Sequence, residues 1–463
     1  MQYYLGIDLG TSSVKAILLC GGKVLRKEKA SYGEISILGW ESAVKTVIAN
    51  ILKDTDKSKL SAMCFSSQVG TYIADGNKII NWFDNAGYDE LREIEERFSD
   101  EEIFCEISMH HPNIISYPLP RYLYIKKKYP NTREVIMPKE HFIRRLTGTL
   151  VSDPYSYRGL YNFREGKLAT RILQKLGIDF SLPEILSPTS LAGAVTKSAA
   201  EEFSLVEGLA VYVGMNDFFS GLVGMGVMNI GDAFEVSGTS EHIGYISEDI
   251  VSPPAVSGDY LIGNATYGGT KSSGSSCDFA LSNFSADKIE SMDLAHSAPI
   301  FLPYLKGERA PIYDEDARGV FFGIDGECGS DALGYSVLEG VVFSLYDIAA
   351  SIDMPSGGRL ITGGGSARNA LMARMKAELF GKEVVVCRET DTSALGAAFC
   401  AMVGAGECAS LRDTAEFVEY DTIAIPSGEN REILNERFSL YRSLYSALKP
   451  EFLKLKSLKE KHK

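Results

Sequence analysis

The sequence predicts an α/β protein of two domains built on one repeated plan, and three observations carry that prediction. The chain has 463 residues, more than one hydrophobic core ordinarily serves. Short apolar runs suited to strands alternate with longer segments of helical spacing. The tripeptide Gly-Thr-Ser stands at 10–12 and again at 238–240, each time between two short apolar strands. That placement at two hairpin tips, half a chain apart, reads as a duplicated domain: residues 1–230, then residues 231–463.

The elements follow in order. Tyr3 to Leu9, Val14 to Leu19 and Lys23 to Ala30 read as a meander of strands, turned at Gly10-Thr11-Ser12 and at Gly21-Gly22. Ala43 to Leu52 has helical spacing, Ala62 to Phe65 is a short strand, and 119–150 reads as largely helical. Ile172 to Leu176 and Ser198 to Phe203 read as helices, and Leu209 to Val213 as a buried strand stopped by Gly214. The opening pattern returns with strands at Ala233 to Val236 and Glu241 to Ile246. A strand at Arg359 to Thr362, a helix from about Ala367 to Phe380, a strand at Lys382 to Cys387 and a small-residue helix at Ser393 to Val403 follow. Glu432 to Leu455 is helical and runs into a basic, solvated tail.

Composition narrows the function classes. Hydrophobic residues are 45% and charged residues 23%, ordinary globular usage. The formal charge of −14 disfavours nucleic acid and anionic membrane as partners. No apolar run reaches the roughly 18 residues of a membrane span, and the start, MQYYLGIDLG, lacks a signal-peptide pattern. Eight scattered cysteines without a CxxC pair read as reduced thiols of a cytoplasmic protein. No HExxH occurs, which argues against a zinc site.

Four motifs carry chemistry. In the first, a strand brings Asp8 to its carboxyl end, and the turn Gly10-Thr11-Ser12-Ser13, with Lys15 beyond it, offers amides and hydroxyls at one point. Unpaired amides in a tight turn cradle phosphate, and a carboxylate beside them suits Mg²⁺ held through its waters. The bland alternative is an ordinary hairpin with a polar turn. The second motif, Gly238-Thr239-Ser240, repeats the first. The third is Gly363-Gly364-Gly365-Ser366-Ala367-Arg368-Asn369, where glycines after a strand open a helix and let the backbone approach a ligand. It is neither a GxGxxG fingerprint nor a P-loop. The fourth is Asp217, after a buried strand at the domain junction, where a cleft would place a general base. Taken by itself, that Asp reads as a helix N-cap.

These motifs, in this order, resemble the FGGY family of carbohydrate kinases, xylulokinase-like members above all. IDLGTSSVKA is similar to the family's first phosphate motif, EVSGTS to its second, and ITGGGSARNALMARMKAELFGKEV to its adenosine loop and following helix. PYLKGERAPIYDEDARGVFFGI at 303–324 is the most specific stretch. The resemblance covers nearly the whole chain. It implies two RNase H-like domains of the actin/hexokinase superfamily flanking a deep catalytic cleft, and transfer of the ATP γ-phosphate, with Mg²⁺, to a hydroxyl of a small sugar, a ketose such as xylulose or a related sugar or polyol. It makes Asp217 the catalytic base, and Asp8 with Asp217 the metal-side carboxylates. It puts Gly10, Thr11, Ser12, Ser13, Lys15, Gly238 and Thr239 at the phosphates, and Gly364, Gly365 and Asn369 at adenosine. The acceptor side falls to Gln68, Val69, Gly70, Trp82, Asp84, Asn216, Asp217 and Phe218. A homodimer is the default assembly for such an enzyme.

The acceptor side departs from the xylulokinase pattern. Where the family reads Gly-Gln-Met-His, this chain has Ser67-Gln68-Val69-Gly70, and the imidazole is lost. The residue after Asp217 is Phe218 where the family has Asn. Trp82-Phe83-Asp84-Asn85-Ala86 lacks the family's arginine, and the segment Gly33 to Glu41 is shortened. The ATP side is nearly intact. The expectation is working phosphoryl-transfer machinery with a retuned acceptor site. A nucleotide-binding sensor or scaffold of the same family is the competing expectation, and retention of Asp8 and Asp217 weighs against it. An actin- or chaperone-like ATPase of the same superfamily is a third expectation, opposed by the 303–324 stretch.

Overall fold

The computed structural model describes residues 1–111, 114–237, 241–284, 289, 292–294, 297–364 and 368–461. The chain forms two units. The first holds Met1–Met228 and Asp391–Val418; the second holds Asn229–Thr390 and Glu419–Lys463. One cut near 230 therefore separates the two sheets, but the packing returns a helical segment from late in the chain to the first unit.

The first unit is built on a six-stranded sheet. Its strands are β1 (Tyr3–Leu9), β2 (Ser13–Cys20), β3 (Lys23–Ser31), β4 (Leu60–Ser67), β5 (Leu191–Ala194) and β6 (Ala210–Tyr212), in the order β5-β6-β4-β1-β2-β3. β1 runs antiparallel to β2 and parallel to β4, and β6 runs parallel to β4. Central β1 is buried from Tyr4 to Leu9, which explains its near-continuous apolar run. Helix α1 (Ile37–Ile51) covers β2 and β3. The Ser36 hydroxyl accepts from the Gly39 amide at 3.0 Å to cap it. Trp40, Ala43, Val44, Val47, Ile48 and Ile51 recur at helical spacing and form its buried face.

Helix α2 (Pro138–Thr147) backs β4 and carries a fully buried lysine. The Lys139 ammonium lies 2.9 Å from an Asp153 carboxylate oxygen, and both side chains are sealed from solvent. An ion pair at this depth holds because each charge has its partner; removing one alone costs about 3–5 kcal/mol.

Helices α3 (Asp217–Gly224) and α6 (Thr392–Gly404) cross closely beside β1. A Cβ on Gly396 would stand 1.8 Å from the Ser220 carbonyl oxygen, and one on Gly6 of β1 would stand 2.1 Å from the Ala394 carbonyl oxygen. Glycine at these points is a condition of the packing. The small-residue pattern SALGAAFCAMV thus marks a helix laid directly on backbone.

The second unit repeats the plan. Its strands are β7 (Ala233–Ser237), β8 (Glu241–Ser247), β9 (Val256–Tyr260), β10 (Gly263–Thr270), β11 (Arg359–Gly364), β12 (Glu383–Cys387) and β13 (Tyr420–Ala424), in the order β9-β10-β8-β7-β11-β12-β13. β7 is antiparallel to β8 and parallel to β11, which is parallel to β12. From β10 to β13 this matches, strand for strand and direction for direction, the run from β3 to β5 in the first sheet. The inserted β9, paired with β10, is the difference. This is the repeat that the tripeptide predicts, in the two-domain actin/hexokinase-like α/β fold that the resemblance implies.

Helices α4 (Ser330–Ser351) and α5 (Ala370–Phe380) pack on this sheet, and α7 (Arg431–Lys461) packs on both helices. α4 is long and apolar enough to cross a membrane by length and composition, but 89% of its apolar window is buried inside the protein. It is a core helix, buried on nearly every side, with Glu339 and Asp347 among its buried residues. The expected helix over 119–150 divides into Pro118–Lys128 and α2, with the short strand Val135–Ile136 between them pairing with 73–74. The helix expected from Ala367 starts at Ala370 among the described residues.

Candidate functional site

Three parallel strands of the first unit end side by side, and each delivers polar groups at its carboxyl end, where open α/β sheets bind ligands. β1 supplies Asp8. β4 ends at Ser67, and the following Gln68 amide donates to Leu9 O at 3.0 Å. Beyond β6 the chain turns at Gly214, and Asn216 bridges to Ser67 in parallel register.

Asn216 adopts an extended conformation and caps α3, its Oδ1 accepting from the Phe219 amide at 3.0 Å. The N-cap role that local sequence offered to Asp217 thus belongs to its neighbour. Asp217 is the first helical residue, partly exposed. Its Oδ1 accepts the amides of Val69 at 3.0 Å and Phe218 at 2.9 Å. Among the described residues no hydrogen-bond donor engages Oδ2. Ser393 of α6 donates to the Asp217 carbonyl at 2.9 Å, fixing the backbone from below.

The two carboxyls share a field. Burial pushes the Asp8 carboxyl up to about 6, opposed by the Ser66 hydroxyl, which donates to Oδ1 at 2.7 Å, and by Lys15. Burial, then the Asp8 charge, pushes Asp217 up to about 7, against the two backbone amides. A carboxylate with one oxygen held and one open, titrating near neutrality, can accept a proton from an alcohol at physiological pH.

A stability consequence follows from these directions. In an unfolded chain a carboxyl titrates at about 4. Both groups keep their protons to higher pH when folded, so the stability linked to the protonated forms is whole below about 4 and is lost as pH rises through about 7. Asp217→Asn keeps the Oδ1 acceptor and removes the charge. It melts about 2–4 °C above the parent at pH 8, with a smaller gain at pH 5; melting curves at the two pH values check this.

The turn at 10–13 is tight, with the Gly10 amide donating to Ser13 O at 3.1 Å. The Tyr32 hydroxyl donates to Gly10 O, Thr11 and Ser12 are exposed at the tip, and Ser13 is buried at the start of β2. Lys15 lies opposite Asp8 in the β1–β2 register, and its ammonium is 2.8 Å from an Asp391 oxygen. Lys27 reaches the other Asp391 oxygen at 3.4 Å. Burial raises the Asp391 carboxyl, and the two ammonium groups outweigh it, so this acid stays ionised. Sequence reading missed Asp391 and Ser66. The only signal for Asp391 was Asp-Thr-Ser ahead of a small-residue helix.

Of the residues expected on the acceptor side, Gln68 is 1% exposed, and neither side-chain polar atom has a partner among the described residues. Such a group costs about 1–3 kcal/mol when left unpaired, which a polar ligand would recover. Val69 is exposed next to Asp217, and Gly70 follows with φ 79°. The Trp82 indole donates to the Thr11 hydroxyl at 3.0 Å, linking the acceptor-side segment to the first turn. The Trp82 and Asp84 carbonyls are held by buried Arg121 at 3.0 and 2.9 Å. The Asp84 carboxylate accepts the Asn81 amide at 2.7 Å, so one of its oxygens serves the local turn. Phe218 packs edge-on against Phe219.

In the second unit, β7 and β11 end together. The Ser237 hydroxyl donates to Gly363 O at 3.0 Å, and Gly364 has φ 105° with its Cα side pressed on the Ser237 carbonyl. The Asn369 side-chain oxygen accepts the Met372 amide at 3.0 Å as the cap of α5, a local duty beside any ligand role. Buried Lys376 pairs with Glu235 beneath these strand ends. Gly238, Thr239 and Gly365, with Ser240, Ser366 and Ala367, lie outside the described residues.

The implied metal fits the donor set: Mg²⁺ takes one or two carboxylates and keeps its waters, and Asp8 and Asp217 are two carboxyls whose raised values mark sites that a cation would relieve. Among the described residues no group of three His, Cys, Asp or Glu side chains forms a closed metal cage.

Comparison with known proteins agrees over the whole length. The model for the FGGY family of carbohydrate kinases, N-terminal domain, matches residues 3–224, and that for the C-terminal domain matches residues 234–405. A xylulose kinase of Staphylococcus epidermidis is 29% identical over 491 residues, covering 97% of each chain. The crystal structure of a gluconate kinase from Lactobacillus acidophilus superposes with a TM-score of 0.87 at 23% identity, over 98% of this chain and 99% of that one. A ligand-bound xylulose kinase from the same organism gives 0.87 at 23%, over 98% and 100%. At that identity the two structures speak for the fold.

Proposed function

The chain belongs to the FGGY family of carbohydrate kinases and is a sugar kinase that uses ATP, and from that premise we propose that Asp217 is the general base for phosphorylation of a small sugar or polyol other than D-xylulose itself. The observation that carries the reading is the pair of backbone amides on Asp217 Oδ1, which leaves Oδ2 without a donor among the described residues, in a field shared with Asp8. An acceptor hydroxyl at Oδ2 would lose its proton as its oxygen attacks the γ-phosphorus and ADP departs.

In this reading Gly10, Thr11, Ser12, Ser13 and Lys15, with Gly238 and Thr239, attend the phosphates, and Gly364, Gly365 and Asn369 attend adenosine. Asp8 and Asp217 would hold Mg²⁺, which when bound neutralises charge on the transferring phosphoryl group. Gln68 supplies an unpaired amide to a sugar hydroxyl, and Trp82, Asp84, Asn216, Val69, Gly70 and Phe218 shape the acceptor space. The loss of the family imidazole at Gly70 and the ring at Phe218 support an acceptor other than D-xylulose, because polar sites discriminate strongly through groups left unpaired. Candidate acceptors are another ketose, a deoxysugar, an aldonate or a polyol. All eight cysteines are free, which supports a reducing, cytoplasmic setting. A homodimer completes the reading; light scattering would give twice 50.6 kDa.

The test is ADP release with Mg·ATP across a panel of these acceptors. One acceptor raises turnover at least about 100-fold over the ATPase background, and D-xylulose lags it by about 10-fold or more. Equal background rates with every acceptor, alongside tight nucleotide binding, would favour the sensor reading instead.

A further inference from the structure

We propose that the buried Lys139–Asp153 ion pair is the positioning device for Asp217, acting through Asn216; the proposal rests on the reading of Asp217 as base. The pair lies behind the strand ends, and two routes lead from it to the residue before the base. Along the first, the Lys139 ammonium donates to Val213 O at 3.1 Å, just past the end of β6 and three residues ahead of Asn216. Along the second, the ammonium meets Asp153 Oδ2 at 2.9 Å. Asp153 Oδ1 accepts the amides of Tyr155 at 2.9 Å and Ser156 at 3.0 Å, building a turn. The Tyr155 carbonyl from that turn accepts the Asn216 side-chain amide at 3.0 Å.

Asn216 is therefore gripped at both ends of its amide: Nδ2 by the turn, and Oδ1 by the Phe219 amide of α3. Its backbone bridges to Ser67, whose hydroxyl accepts the Lys139 amide at 3.3 Å. One lysine thus ties the ends of β4 and β6 and the 153–156 turn to a single point. Apolar residues of equal volume would fill the same space with no loss of stability in many proteins. What they would not supply is direction: the ammonium draws Val213 O and Asp153 Oδ2 to one point, and Asp217 inherits that geometry through one covalent neighbour. A misplacement of the base near 1 Å costs about 100-fold in rate.

The experiment uses the full chain carrying Lys139→Met with Asp153→Asn, which removes both charges together. Asn216→Ser, which keeps the cap oxygen and loses the donor to Tyr155, and Asp217→Asn run in parallel. Readouts are melting, nucleotide binding, kcat, acceptor KM, and the pH midpoint of kcat/KM. Expected is a folded double variant that binds nucleotide normally, with kcat about 10- to 100-fold lower and the pH midpoint displaced. Asn216→Ser reproduces the loss, and adding it to the double variant changes little further. Folded variants with parental kcat and midpoint overturn the proposal. So does a kcat loss matched by the fall in active fraction with the midpoint unmoved, the mark of a structural role alone. Should the double variant not fold, Asn216→Ser decides: parental kcat there overturns the proposal. Failure of the base assignment shows separately, as near-parental kcat in Asp217→Asn.

Discussion

Replacing Asp217 with Asn lowers kcat by about 1,000-fold while nucleotide affinity stays within about 2-fold, because a positioned general base contributes about 10²–10⁴. The substitution is conservative for the fold. Oδ1 still accepts the Val69 and Phe218 amides, Asn216 still caps the helix, and Ser393 still holds the carbonyl. What is lost, in the proposed reading, is the carboxylate that takes the acceptor proton. Asp8, the other carboxyl, is bound by the Ser66 hydroxyl and faces Lys15 across the β1–β2 register. Steady-state ADP release with the best acceptor, paired with a nucleotide titration, checks both halves. A variant that keeps kcat removes Asp217 from the chemistry.

Gly396→Val leaves little folded protein. The new Cβ stands 1.8 Å from the Ser220 carbonyl oxygen and 3.1 Å from the Gly224 amide, and both are backbone. No rotamer relieves a clash with backbone, so α3 and α6 must separate. The substitution belongs with the destabilising extremes, above about 4 kcal/mol. Asp217 opens α3, so any folded remnant also holds the base out of place. Denaturant unfolding checks the loss, and an unchanged midpoint would mean that the crossing is looser than its geometry.

These two glycine-rich helices show where the sequence could be read and where it could not. The opening strands were legible because β1, β2 and β3 are contiguous, separated by obvious turns, and β1 is apolar but for Asp8 near its end. The duplication was legible from one tripeptide, and the matching strand orders bear it out. The return of 391–418 to the first unit was not, since a contact between Gly6 and a helix almost four hundred residues later leaves no local trace. α4 went unassigned because it is buried on nearly all sides, so no periodic stripe marks it.

The site was legible in its residue types and less so in its duties. Asn and Asp both cap helices, and Asn-Asp stands at the start of α3. The extended backbone of Asn216 and its Oδ1 bond to the Phe219 amide assign the cap to the first. Asp391 and Ser66 needed the fold, because one meets Lys15 through tertiary packing and the other meets Asp8 through parallel register. Asn369 and Asp84 carry local duties that a motif comparison does not display.

The central claim is that Asp217 works as a base in the native site, and the pH dependence of kcat/KM for the acceptor tests it most directly, because that ratio reports the free enzyme. Asp217 must be ionised to act, and burial with the Asp8 charge raises it to about 7. In the Mg·ATP complex the cation opposes that rise, so the account predicts a rate that climbs with pH along an acid limb below about 7, falling tenfold per pH unit well below its midpoint, and no such limb in the residual rate of Asp217→Asn. The same acid limb in Asp217→Asn would contradict it.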